Sequence, residues 1–222
     1  EISSAGECLK SAGTALQNGN PKAAKAWIRR LAIAIPDRIS AYTDLVEIEV
    51  RLGDWEAVIR LIARAVSFVP ANSRLFEIGS RAARETGNWR AVPQFARRAL
   101  ILKPSLDLPY RMMGVAIAND GDAGRALPML RAAFVSAPNS AINFDYFMRG
   151  CVLQGDFAMI THTAKAVVAR HPGRADAAFW LGRGLWKSDE VADADRHLER
   201  ALAIDPSLEA DIRYVRLTAT VS

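Results

Sequence analysis

The stretch GDAGRALPMLRAAFVSAP, residues 121–138, begins with a glycine and ends with a proline. Both markers recur along the chain every 34 residues, as from Pro104 to Pro138. The prolines are Pro36, Pro70, Pro104, Pro138, Pro172 and Pro206, and the glycines are Gly19, Gly53, Gly87, Gly121 and Gly155. The sixth position of the glycine series holds Asp189. A fixed period in the range of about 20–50 residues predicts a stacked repeat protein.

The apolar residues between these markers have helical spacing. In the quoted stretch, apolar side chains recur at steps of three and four residues, at Ala126, Leu127, Leu130, Ala133 and Phe134. Glycine ends a helix readily because it adopts the left-handed conformation, whereas proline cannot continue one. Helices of about 12–15 residues joined by short turns pack as antiparallel pairs, so each unit is predicted to be a helical hairpin. Stacked neighbours then complete the core.

This pattern resembles the tetratricopeptide repeat (TPR) family, whose unit reads W-x2-L-G-x2-Y, then A-x3-F, then P. The fourth unit reads Tyr110-x2-Met113-Gly114-x2-Ile117, Ala126-x3-Leu130 and Pro138, and the sixth reads Ala178-x2-Leu181-Gly182-x2-Leu185, Ala194-x3-Leu198 and Pro206. The resemblance implies an all-α, right-handed superhelical solenoid of about six repeats with a C-terminal capping helix. The predicted repeats are residues 5–38, 39–72, 73–106, 107–140, 141–174 and 175–208, followed by a helix over 209–217, in a single domain over 1–222.

Two positions within the unit have predicted packing roles. A small residue in the first helix, such as Gly114 or Gly182, is predicted to let the paired helices approach closely. The fifth unit has Met148 there, which predicts a slightly splayed pair. Aromatic residues stand two positions after three of the glycines and are predicted to pack the start of the second helix; they are Trp55, Trp89 and Phe157.

The composition is that of an ordinary soluble chain, with 50% apolar and 24% charged residues among 222. No apolar run approaches the roughly 20 residues that cross a bilayer. Cys8 and Cys151 lie four units apart, so they are predicted to be unpaired core residues. Arginine outnumbers lysine and alanine is abundant, which indicates a GC-rich bacterial genome. Without an initiator Met or a signal segment, the chain is predicted to be processed or excised; a cytoplasmic location is favoured, and a periplasmic one stays open if a signal peptide was removed.

No motif in the sequence carries catalytic or metal-binding chemistry. His162, His171 and His197 have no partners at the spacing of metal ligands. The run Gly182-Arg183-Gly184 lies inside a predicted helix and lacks the third glycine of a dinucleotide-binding loop. A P-loop and a nucleophile elbow are also missing from the sequence. We therefore predict a protein that is not an enzyme and has no cofactor and no metal.

The functional prediction rests on the first helices. In proteins that resemble this family, these helices line a concave groove, and positions two, five, nine and twelve of each unit point into it. In units three to six these positions hold Arg74, Glu77, Arg81, Arg84, Leu108, Arg111, Val115, Ala118, Ile142, Asp145, Arg149, Val152, Asp176, Phe179, Arg183 and Trp186. Units one and two contribute little charge, through Gly6, Leu9, Gly13, Leu16, Ser40, Thr43, Glu47 and Val50.

Four of these residues, which we call the arginine row, are predicted to suit carboxylate or phosphate groups; they are Arg81, Arg111, Arg149 and Arg183. The full set of candidate peptide-binding residues is Arg74, Arg81, Arg84, Arg111, Arg149, Phe179, Arg183 and Trp186. Two structural alternatives stay open. Glu77, Asp145 and Asp176 could neutralise the arginines in a solvated ion-pair ladder, and Trp186 could pack beneath the terminal helix.

The sequence therefore predicts a protein-interaction scaffold that binds an acidic or extended segment of another protein in its groove. The alternative is a repeat domain of a larger bacterial enzyme, such as a glycosyltransferase, that presents substrate or mediates dimerisation. Nucleic-acid binding is disfavoured because the net charge of +5 is modest and no stacking aromatics interrupt a basic stripe. Binding of a chaperone tail is disfavoured because Val115, Glu77 and Asp145 stand where the resemblance implies a Lys and Asn clamp. Homo-oligomerisation stays open.

Overall fold

The computed structural model describes residues 5–34 and 39–219, and in these ranges the chain forms thirteen α-helices, one short 3-10 helix and no strand. The helices are α1 (Ala5–Gln17), α2 (Pro21–Ala34), α3 (Ile39–Leu52), α4 (Trp55–Phe68), α5 (Ser73–Glu85), α6 (Val92–Leu102), α7 (Asp107–Asn119), α8 (Ala123–Ser136), α9 (Ala141–Gln154), α10 (Phe157–Arg170), α11 (Ala175–Trp186), α12 (Val191–Ile204) and α13 (Glu209–Ala219). The 3-10 helix is Pro206–Leu208. The prediction of an all-α repeat solenoid with a terminal helix is confirmed.

The repeat period of the sequence sets where the helices begin. The first helices of the hairpins begin at residues 5, 39, 73, 107, 141 and 175, and α13 begins at residue 209. The second helices keep the same period with one exception, because α6 begins at Val92 instead of Trp89. Pro93 explains this late start, since in a helix that began at Trp89 its ring would clash with the Trp89 carbonyl. In the observed helix Pro93 occupies the first turn, where proline is tolerated.

The turn inside each hairpin has the backbone conformation that the glycines predict. Every glycine of the series has a positive φ, between +67° and +85°. Asp189 adopts the same left-handed conformation with a φ of +61°, although it is not a glycine. The turns between hairpins contain Pro70, Pro104, Pro138 and Pro172, and Pro206 begins the 3-10 helix. Pro36 lies outside the described residues.

Aspartate side chains cap the N-termini of three second helices, a feature that the sequence analysis did not predict. The Oδ1 atoms of Asp54, Asp122 and Asp156 accept hydrogen bonds from the backbone N–H three residues ahead, at 3.0, 2.9 and 2.9 Å. Such caps satisfy donors that have no partner inside the helix. Glu190 holds this position before α12 and makes no side-chain cap. The sixth hairpin therefore departs from the repeat at two neighbouring residues, Asp189 and Glu190.

The chain divides into two compact units, Glu1–Ala116 and Ile117–Ser222. We call these unit 1 and unit 2. The cores within unit 1 are built around residues such as Leu31, Ile62 and Met112. Unit 2 has a larger core that contains Phe144, Met148, Trp180 and Leu198 and extends onto α13 through Ile212 and Val215. The single continuous domain over 1–222 stays a prediction.

The two cysteines are core residues, as predicted. Cys8 and Cys151 are buried and unpaired. Burial raises the pKa of the Cys151 thiol to about 12, and the negative charge of Asp156 adds to this effect. The thiol is therefore neutral at physiological pH and packs as a small apolar group.

Small residues allow close contact within hairpins. A Cβ atom on Gly182 would lie 2.7 Å from Cγ of Leu198 and 3.0 Å from the carbonyl oxygen of Ala194, so α11 and α12 approach each other through the missing side chain. In the fifth hairpin the buried Met148 takes this position, and α9 packs closely on α8 and less closely on α10. This arrangement agrees with the predicted splayed pair.

Candidate functional site

The first helices α9 and α11 of unit 2 are connected by one carboxylate. Asp145 Oδ2 accepts a hydrogen bond from Nε of Arg149 at 2.6 Å, and Asp145 Oδ1 accepts one from Nε1 of Trp180 at 3.2 Å. The guanidinium group of Arg183 lies over the Trp180 ring, 5.1 Å from its centroid. We call these four residues the α9–α11 arginine site.

The two arginines of this site differ in their charge environment. The hydrogen bond to Asp145 is the largest effect on Arg149 and raises its pKa. Burial is the largest effect on Arg183 and lowers its pKa. The positive charge of Arg149 lowers it further, while the negative charges of Asp211 and Asp145 act in the opposite direction. Both groups stay charged near neutral pH because arginine is a very strong base. The site thus places two guanidinium groups within each other's electrostatic reach, with one carboxylate in hydrogen-bond contact.

Asp176, which lies on α11 with Arg183, pairs with another arginine. It accepts a hydrogen bond from Nε of Arg174 at 3.0 Å. In the ranges that the structure describes, Arg183 has no carboxylate within ion-pair distance. Asp145 therefore neutralises an arginine of the row, Arg149, whereas Asp176 does not.

The two aromatic candidates lie in or against the core. Phe179 is only 7% exposed, and its ring meets the Trp180 ring edge to face with centroids 5.4 Å apart. Trp186 is half-buried and packs against the core of unit 2, which extends onto α13. This packing of Trp186 agrees with the alternative that it packs beneath the terminal helix, whereas its role in binding stays a prediction.

In unit 1, Arg74 is held by two carboxylates. It lies 2.9 Å from Glu77 and 3.5 Å from Glu47. Burial opposes its charge, but the hydrogen bond to Glu77 and the charge of Glu77 outweigh this and raise the pKa of Arg74. Because Glu77 is itself only 7% exposed, this pair is part of the packing between α3 and α5.

The remaining candidates of unit 1 are also engaged. Arg81 lies 4.0 Å from Glu85 and stacks over the Trp55 ring at 4.9 Å. Arg84 pairs with the same Glu85. Arg111 is half-buried on α7. The neutralising ladder therefore extends over α5, and the continuity of the arginine row from unit 1 to unit 2 stays a prediction.

A recess lies on the first helices of the first two hairpins, which the sequence analysis described only as poor in charge. It has a volume of about 480 Å³ between α1 and α3, and its lining includes Leu9, Gly13, Leu16, Glu47 and Arg51. Gly13 leaves this surface open, since no atom lies within 4 Å of a Cβ added there. The small residue between two leucines is the sequence signal that could have revealed it.

Comparison with known proteins identifies the fold. No protein-family model matches the chain, and no curated protein matches it in sequence. Among solved structures, YrrB, a TPR protein with an unusual peptide-binding site, is 15% identical with a TM-score of 0.66, over 88% of this chain and 98% of YrrB. PilF of Pseudomonas aeruginosa is 12% identical with a TM-score of 0.74, over 96% of this chain and 97% of PilF. The C-terminal part of a TPR repeat-containing protein from Cytophaga hutchinsonii is 14% identical with a TM-score of 0.75, over 95% and 84% of the two chains. The chain has a TPR-type fold.

Residues other than Lys and Asn stand where the resemblance implies a clamp for acidic tails. Two of the corresponding positions hold Glu77 and Asp145, and both carboxylates are already bound by arginines of the same helix.

Two further properties concern only residues 5–34 and 39–219. No group of three or more His, Cys, Asp or Glu residues in these ranges is arranged to hold a metal ion. None of the helices described there is both long enough and apolar enough to span a membrane.

Proposed function

We propose that this chain is a non-catalytic protein-interaction scaffold whose first helices bind an acidic or extended segment of another protein. The observation that carries the proposal is the α9–α11 arginine site. Arg183 is half-buried, and no carboxylate lies within ion-pair distance of it in the part of the chain that the structure describes. A partner carboxylate would relieve the repulsion between Arg183 and Arg149.

The geometry of the two side chains supports this role. Arg149 uses Nε for its bond to Asp145, so its outer nitrogen atoms can face an incoming acceptor. The Trp180 ring holds the guanidinium of Arg183 in place, and a side chain that is already oriented loses less entropy on binding. Hydrogen bonds between arginine and carboxylate are charge-assisted, but at the exposed Arg149 solvent screens the contact to at most about 1 kcal/mol.

The test is affinity capture with a charge-reversed protein. The variant Arg149→Glu, Arg183→Glu is compared with wild type and with the matched control Arg125→Glu, Arg196→Glu, which changes the same charge on exposed second-helix residues of unit 2. We expect partners that wild type and control both capture and that the first variant loses. Circular dichroism should show equal helicity in all three proteins.

Partners that all three proteins retain would contradict the proposal. For a partner that is lost, the binding constant should weaken with added salt, since the contact is an ion pair at the surface. A binding constant that does not change with salt would show that ion pairs do not hold the partner.

A further inference from the structure

The positive charge of this protein lies on the second helices of the hairpins. The six first helices hold eight basic residues (Lys and Arg) and nine acidic residues (Asp and Glu). The six second helices hold fourteen basic and four acidic residues. The net charge of +5 therefore does not come from the first helices, where the arginine row was predicted. It marks a different face of each hairpin.

The imbalance in unit 2 is confined to α8 and α10, which contain no Asp or Glu. Their basic residues include Arg131, Lys165 and Arg170, and none of these has a carboxylate within ion-pair distance in the ranges 5–34 and 39–219. The neighbouring α12 differs, because its Asp195 and Glu199 both lie within ion-pair distance of Arg216 of α13.

An apolar groove lies beside Arg131, lined by residues of α8, α9 and α10. It has a volume of about 440 Å³ and is lined by Gly124, Leu127, Pro128, Arg131, Ala132, Val135, Phe147 and Met159. We call it the α8 groove. Phe147 forms its buried floor, since this side chain is only 3% exposed, while Val135 is 66% exposed at one end. The face of α8 from Gly124 to Val135 is about 16 Å long at 1.5 Å per residue.

We propose that the α8 groove binds an amphipathic helix of a partner protein that is apolar on one face and acidic on its flanks. A recess about 16 Å long accommodates about 11 residues of helix, which is three turns. Apolar residues at helical spacing would cover Phe147, Leu127 and Met159, as in other helix-in-groove complexes. Acidic flanks suit the groove because Arg131 lies in its lining, and α8 and α10 themselves contain no carboxylate. The carboxylates that precede these helices, Asp122 and Asp156, already accept hydrogen bonds from the helix backbone.

The groove is less suited to other anionic partners. A membrane surface would need apolar side chains that protrude, whereas Phe147 lies at the bottom of a recess. Single-stranded nucleic acid would need open aromatic rings for base stacking, and the aromatic residues of α8 and α10, Phe134 and Phe157, are both partly buried. The proposal is independent of the α9–α11 arginine site, since the groove lining contains none of its residues.

The experiment uses a displayed library of peptides of about 14 residues with strong helix propensity. One face carries varied apolar residues, and each flanking position encodes either Glu or Lys. After selection on the whole wild-type protein, we expect Glu to be enriched over Lys at the flanks. The selected peptides should bind Arg131→Glu and Val135→Glu at least about tenfold more weakly than wild type, because the first reverses the rim charge and the second places a charge in the groove.

Matched controls exist for both substitutions. Arg125→Glu makes the same change on the same helix outside the groove lining, and Ile101→Glu changes the residue that precedes Val135 by one repeat and is 74% exposed. Both controls should bind the peptides as wild type does. All four positions are exposed, so circular dichroism should show unchanged helicity.

Three outcomes would overturn the proposal. Enrichment of Lys, or no enrichment of either residue, would contradict the proposal that the partner helix has acidic flanks. Selected peptides that bind Arg131→Glu and Val135→Glu as tightly as wild type would place the binding surface elsewhere. Binding of wild type to anionic phosphatidylglycerol vesicles that both groove variants lose, with no selected peptide, would make the occupant a membrane.

Discussion

Asp189 is a non-glycine residue in a conformation that the other hairpins give to glycine. Its φ of +61° places its Cβ close to its own backbone. We expect Asp189→Gly to raise the free energy of unfolding by about 0.5–1 kcal/mol, because glycine adopts this conformation without the steric cost. Urea denaturation measures the change. Lys187→Gly is the control two residues earlier, where φ is −77°, and it should lower stability instead. Equal effects of the two substitutions would refute the backbone explanation.

His197 links stability to pH. Burial is the largest cause that lowers its pKa, and the charges of Arg200 and Arg196 act in the same direction. In the unfolded chain this histidine binds its proton near pH 6.5, whereas the folded state binds it only at lower pH. The unfolded state therefore holds more protons in this window, and the free energy of unfolding falls as the pH drops below 6.5.

Replacement of His197 should reduce this loss of stability. We expect His197→Gln to lose less stability than wild type when urea denaturation at about pH 7.5 is repeated at about pH 5.5. A parallel decline in the two proteins would show that other groups control the acid response of the fold.

At the scale of helices, Gly182 determines how closely α11 and α12 approach. The Cβ of Gly182→Ala would lie 2.7 Å from Leu198 and 3.0 Å from the Ala194 carbonyl, so the helices must separate. We expect a loss of about 1–3 kcal/mol, measured by urea denaturation. Gly13→Ala is the matched control inside α1, where no atom lies within 4 Å of the added Cβ. That substitution should stabilise the helix by about 0.5–1 kcal/mol. Loss of stability in both variants would refute the crowding argument.

The same scale shows which parts of the fold the sequence could predict. Glycine and proline spacing predicted the hairpins because both residues act locally on the backbone. The late start of α6 was missed although Pro93 is visible in the sequence, since the repeat period suggested a start at Trp89. The caps formed by Asp54, Asp122 and Asp156 were also readable, because aspartate before a helix is a local signal.

The candidate site was harder to predict than the helices. The pair Asp145 and Arg149 follows from a spacing of four residues on one helix. The bond between Asp145 and Trp180 joins residues 35 apart and depends on how α9 packs against α11. The sequence left open that Asp176 neutralises arginines of the row, whereas it pairs with Arg174, which is not one of them. Side-chain partners between helices thus required the structure.

At the scale of the whole molecule, the distribution of charge separates two kinds of surface. First helices carry arginines that are mostly bound by carboxylates of the same protein, and second helices carry most of the unbalanced cations. A net charge of +5 cannot reveal this division, because it adds both faces together. The two proposals concern one face each, the α9–α11 arginine site and the α8 groove, so one TPR-type chain offers two surfaces with separate tests.

The constant interval between helix starts has a consequence for the gene. First helices begin at the same position of every repeat, and the turns after them share one backbone conformation. Recombination between the gene segments that encode two equivalent turns would therefore remove or duplicate one whole hairpin. Every later helix would keep its position within the repeat. A crossover displaced by half a repeat would instead place two first helices, or two second helices, directly after one another. Selection can thus alter the length of this protein in complete repeats, one genetic event at a time.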